Sequence, residues 1–185
     1  MTAGKGIVHS EMPEQENGLL KGFQLWVNLP ASEKMSEPAY QEFPPDEVPL
    51  EKRANGTLVR VISGTTNEGT TGPVKNQHVH PNYMDVTLPA GQTFEQLVGT
   101  DHNAFLFVIE GKLSVGQNNQ ELAGKSLGIL TEGNNIQVSA NSVETRFLLV
   151  SGQTLKEPIA RGGPFVMNTK AEIQQAFHDY QSGQF

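Results

Sequence analysis

What most limits the fold of this chain is its punctuation. Nineteen glycines and eleven prolines break 185 residues into short segments, and the runs between the breaks are rich in Val, Ile, Leu and Phe. Short β-branched and aromatic runs bounded by turn residues are the pattern of an all-β sandwich or barrel. The clearest strands are expected at residues 23–29 (FQLWVNL), 57–62 (TLVRVI), 84–88 (MDVTL), 104–109 (AFLFVI), 112–115 and 146–150. Glu110-Gly111 reads as a tight hairpin turn in which the glycine takes a positive φ, and Gly116-Gln117-Asn118-Asn119 reads as a second turn.

One helix stands out against this background. Thr169 and Glu172 have capping-box spacing, so a hydroxyl and a carboxylate can satisfy two free amides reciprocally. Ile173, Ala176, Phe177 and Tyr180 then recur on one face, and Gly183 is placed to end the helix. Residues 33–49 carry four prolines among acidic residues and no clean period, which predicts a loop or linker. The expected division is residues 1–43 as one piece, 44–55 as linker, 56–150 as a barrel, and 151–185 as a terminal strand and helix.

Charge and composition narrow the function. Twenty acidic residues against thirteen Lys and Arg give a net charge of -7, and no basic stripe is present to neutralise phosphates, so direct nucleic-acid binding is not expected. No apolar run approaches the length of about 18 residues that spans a bilayer. The opening residues lack an apolar export core, and a cytoplasmic location is expected. With no cysteine there is neither a disulfide framework nor a thiolate ligand or nucleophile.

Three stretches resemble the pirin family: TAGKGIVHSEMP at the start, GFQLWVNLPASEKMSEPAYQ after it, and EPIARGGPFVMNTKAEIQQAF near the end. VRVISG and YMDVTLPAG lie between them in the family's order. The resemblance implies two stacked cupin barrels (double-stranded β-helix, jelly roll), the N-terminal one incomplete because Met1 falls in the middle of it. It also implies one non-haem iron, Fe(2+) or another divalent metal, in the N-terminal barrel. Some members oxidise the flavonol quercetin with dioxygen, and eukaryotic members are described as nuclear, redox-sensitive cofactors of transcription regulators.

By the same resemblance His9 and Glu11 match the third and fourth iron ligands, with Glu11 also in the catalytic role. Their spacing suits the role: i and i+2 of a strand share a face, and nitrogen plus oxygen donors with open positions suit a divalent iron that must also bind dioxygen. The family's upstream His-x-His is absent from this sequence, so two of four ligands remain and metal binding by the chain alone is expected to be poor. A second metal pattern is Gly72…His78-Val79-His80…Asp85, with His78 and His80 on one strand face. The partner histidine that such a motif needs is missing from residues 132–137, and His102 is placed in a loop ahead of the 104–109 strand. Phe23, Trp26, Phe94, Phe105 and Phe107 are candidates for an aromatic pocket or for core.

Three functions follow from these readings. One is an iron-dependent quercetin 2,3-dioxygenase-type oxidoreductase acting on a small aromatic substrate, with its site incomplete in this chain. Another is a non-enzymatic module presenting a surface to a protein partner. The third is an inactive fragment. An incomplete barrel also exposes strand edges, which predicts a mobile or self-associating N-terminal stretch.

Overall fold

The computed structural model describes residues 1–12, 17–76 and 78–185. They fall into two units, one made of Met1–Gln41 and Leu155–Phe185, the other of Glu42–Thr154.

The second unit is a two-sheet β-structure. Its larger sheet contains β1 (Leu50–Lys52), β2 (Leu58–Ser63), β3 (Asn82–Leu88), β5 (His102–Glu110), β8 (Leu127–Ile129) and β10 (Thr145–Gln153), in the order β1-β2-β3-β10-β5-β8. The smaller sheet contains β4 (Gln92–Leu97), β6 (Lys112–Val115), β7 (Gln120–Ala123) and β9 (Asn135–Ala140), in the order β4-β9-β6-β7. Alternation aims one face of each strand at the other sheet. Val59, Val61, Met84, Val86, Leu88, Leu106, Val108, Phe147 and Leu149 of the larger sheet are fully buried against Phe94, Leu113, Ile136, Val138 and Ala140 of the smaller. Phe94 meets Phe147 edge to face across the gap, with ring centroids 5.8 Å apart. Each Val, Leu, Ile, Phe or Met side chain buried in this way is worth about 1.5–3 kcal/mol.

Two expectations change here. The turn at Glu110-Gly111 does not close a hairpin, because β5 and β6 belong to different sheets. Gly111 does adopt a positive φ of 82°, and it turns the chain from one sheet to the other. A Cβ there would lie 2.5 Å from Thr145 Oγ1, so the corner is too close for a side chain. The linker expected at 44–55 contains β1, paired to β2 with Leu50 opposite Arg60 and Lys52 opposite Leu58. The apolar period fails to show this strand because its inward residue is Glu51, 7% exposed. Glu51 is held by Arg53 Nε at 2.8 Å and by a short hydrogen bond from the Thr66 hydroxyl.

The first unit is built differently. Its described residues include β11 (Ala160–Gly162) and β12 (Phe165–Met167), paired as a hairpin, and helix α1 (Lys170–Ser182). The helix begins as expected: Thr169 caps it, Glu172 completes the box, and Gly183 at φ 70° closes it. Phe165 meets Phe177 and Phe185 edge to face, at 5.0 and 5.7 Å, which fixes helix and C-terminus on the hairpin. Residues 23–29 belong to no strand, since no segment among the described residues pairs with them. Phe23 and Trp26 are each about half exposed. The N-terminal piece is nevertheless tied down. Thr2 and Ala39 exchange backbone hydrogen bonds of 2.7 and 3.0 Å, Lys5 N–H donates to Ser36 O at 2.8 Å, and Ala31 N–H donates to Glu157 Oε2 at 2.8 Å. The only buried side chain among the described residues of this unit is Lys34.

Candidate functional site

His9 and Glu11 lie in the first unit, on a segment without strand pairing. Among the described residues no strand ladder surrounds them, yet the two side chains do converge: His9 Nε2 is 3.6 Å from Glu11 Oε1. Gln24 Nε2 approaches the same oxygen at 3.4 Å. Two donors each about 2.1 Å from one ion stand roughly 3.0 Å apart at a right angle and about 4.2 Å when opposed. The observed separation falls between these limits, so this imidazole and carboxylate fit a shared divalent ion. Both are exposed, and among the described residues no third His, Asp or Glu joins them.

The second pattern is not assembled. His78 and His80 are in a turn before β3 rather than on a strand face. Asn76 Oδ1 accepts from the amides of His78 and Val79, at 2.9 and 3.1 Å, and His80 takes a φ of 43°. Asp85 lies on the outward face of β3, where Arg146 donates to both its oxygens, at 3.0 and 2.6 Å. A carboxylate committed to a bidentate guanidinium is a poor metal donor. Of the candidate pocket aromatics, Phe94 is core, and Phe105 and Phe107 are half-buried on the outer face of β5.

A polar group at one end of the second unit was missed. His102 is the first residue of β5, in the same alternation as Ala104, Leu106 and Val108, so it points inward. Its Nδ1 is 3.2 Å from Ser151 Oγ, and Ser151, 2% exposed, accepts from Asn82 Nδ2 at 2.9 Å. The three residues belong to the adjacent strands β5, β10 and β3. Burial holds the His102 pKa below the ordinary histidine value; the nearby Asp101 charge opposes this and His80 adds to it. Beginning the 104–109 strand two residues earlier, on the same period, would have revealed His102.

Comparison with known proteins now decides the family. The pirin C-terminal cupin domain matches residues 83–185, more than half the chain, and the pirin model matches residues 1–27. The chain belongs to the pirin family. A pirin-like protein of Caulobacter vibrioides is 51% identical over 186 residues, covering 100% of this chain and 66% of that protein. Human pirin is 38% identical, covering 98% of this chain and 62% of its own length. The crystal structure of quercetin 2,3-dioxygenase from Acinetobacter baumannii superposes with a TM-score of 0.78 at 37% identity, over 86% of this chain and 55% of that one. This pirin therefore spans just under two thirds of the curated relatives named here. The two-sheet unit is a cupin, with a C-terminal helix following it in the chain. Among the described residues no helix is long and apolar enough to cross a membrane.

Proposed function

We propose that this pirin acts in a metal-dependent oxidation of a small aromatic substrate, of the quercetin 2,3-dioxygenase type. The observation that carries the reading is the convergence of His9 Nε2 and Glu11 Oε1 at 3.6 Å, supported by the dioxygenase named among the similar structures. His9 and Glu11 would hold Fe(2+) or another divalent metal, and such an ion supplies a place where dioxygen and a substrate oxygen bind side by side. Gln24 restrains the Glu11 carboxylate. Trp26, half exposed with the Arg161 guanidinium 5.2 Å from its ring centroid, offers an aromatic surface in the same unit.

Two protein donors are fewer than the three that catalytic sites normally use. Full occupancy therefore requires donors from outside the described residues. Purified alone, the chain is expected to hold well under one iron per molecule and to leave quercetin unchanged. Fusing to the chain the part of the Caulobacter relative that lies outside the matched region is expected to give both iron and turnover. His9→Ala or Glu11→Ala in that fusion should then weaken metal binding by at least about 10- to 100-fold. Full iron retention in both variants overturns the assignment.

A second reading rests on exposed apolar residues around this segment. Val8, Met12, Leu19 and Leu20 are all more than 60% exposed. Such a surface suits a protein partner or a second copy of the chain. Sedimentation at rising concentration tests the self-associating form, and a strictly monomeric chain excludes it.

A further inference from the structure

The cupin unit has an open end that nothing above uses. A cavity of about 150 Å³ lies between the two sheets at the mouth of the core. Ala104 and Ile136, both more than 90% buried, and the half-buried Val98, Val115 and Leu130 form its apolar lining. His102, Thr131, Glu132, Asn135 and Gln137 bring the polar groups.

The chemistry of His102 follows from hydrogen-bond accounting. Ser151 Oγ accepts from Asn82, so its own proton needs an acceptor, and His102 Nδ1 is the one within reach at 3.2 Å. A buried hydroxyl left without an acceptor is costly. With Nδ1 accepting the Ser151 proton, the neutral imidazole carries its own proton on Nε2, and that N–H has no hydrogen-bond partner among the described residues. The Cδ2–Nε2 edge of the ring lies beside Gly99, where a Cβ would stand 2.6 Å from Cδ2 and 2.9 Å from Nε2.

We infer that the mouth of the C-terminal cupin is a binding site for a small neutral ring compound bearing an oxygen acceptor, of the size of phenol. The aliphatic wall takes the ring and His102 Nε2–H donates to the oxygen. A volume of this order matches one benzene-sized ring, here with one side apolar and the rim polar. Glu132 on the lining and Asp101 beside His102 repel a carboxylate, which makes the site select against anions. The site consists wholly of residues of the second unit and does not depend on the metal reading.

Titration of the isotope-labelled full chain with phenol, toluene and benzoate tests it by amide chemical shifts. Phenol is expected to bind saturably with a Kd on the order of 1 mM. The shifts should concentrate at Val98, His102, Ala104, Leu130 and Ile136, with benzoate much weaker. His102→Ala should weaken phenol by about fivefold to tenfold and leave toluene unchanged. Gly99→Ala, which displaces the ring without removing it, should weaken phenol in the same direction. Val98→Phe should fill the cavity and abolish both ligands. Phenol shifts scattered over the surface, or no saturation at roughly ten times the expected Kd, overturn the proposal, and that wild-type result stands even if a variant fails to fold.

Discussion

Glu51 shows how a single charged side chain can belong to a β-core. Burial alone would raise its pKa. Hydrogen bonds from Thr66, Arg53 and Thr70, together with the Arg53 charge, outweigh burial and hold it below the ordinary 4.5. A carboxylate depressed on folding stabilises the fold above its unfolded pKa and loses that contribution as pH falls through the folded value. Stability to urea is therefore expected to decline below about pH 4.5. Glu51→Gln should remove that part of the acid dependence, at a cost at neutral pH because Arg53 loses its carboxylate. Parallel pH profiles for the two proteins would contradict this. Arg53 also sits over the Phe94 ring at 4.6 Å, so the network and the apolar core share a contact.

At the scale of elements, α1 and its hairpin are the most local structure in the chain. The Thr169 hydroxyl accepts from Glu172 N–H at 3.2 Å, satisfying an amide that the helix itself cannot. Thr169→Ala is expected to cost about 1 kcal/mol, read as faster amide exchange along the first turn of α1. No change in exchange there would mean that the aromatic contacts of Phe165 dominate. Lys34 is the corresponding non-local element. Its ammonium donates to Asn28 Oδ1 at 2.6 Å and Val166 O at 3.0 Å, joining the N-terminal segment to β12. Burial lowers its pKa, while the charges of Glu157 and Glu172 oppose that shift. Lys34→Met should cost about 1–3 kcal/mol by orphaning these acceptors. The loss should appear as lower protection around Val166 with the cupin strands unaffected.

Across the whole molecule, stability is expected to be uneven. The cluster of buried apolar side chains lies entirely between Val59 and Leu149, whereas Lys34 is the lone buried side chain described in the first unit. Local opening follows the density of buried apolar contact. Hydrogen exchange should therefore be slowest in β2, β3, β5 and β10. The boundary should fall differently from a simple N-to-C gradient. Leu50–Lys52 should be protected with the cupin, and α1 should exchange with residues 1–41, its companions in the same unit. Slow exchange of α1 alongside β10 would refute this division.

Much of this was written in contiguous residues. The all-β class, the positions of β2, β3, β5, β6 and β10 to within a few residues, and the full span of α1 come from alternation and capping, which need only near neighbours. His9 and Glu11 do converge, but not on the shared strand face that their spacing suggested, since their segment is in no strand. Residues 23–29 show the limit: strand-like composition produces no strand without a partner to complete its hydrogen bonds. Tertiary structure alone decided that Gly111 carries the chain between sheets, that Glu51 and Lys34 are buried, and that residues 155–185 join residues 1–41. It alone joined Asn82, Ser151 and His102 across three strands, with His102 at the cavity. Each of these is a polar or backbone feature with at least one partner outside its own segment, from Thr66 for Glu51 to Val166 for Lys34. Burying such a group is stable only when those partners arrive, and no local pattern records which ones will.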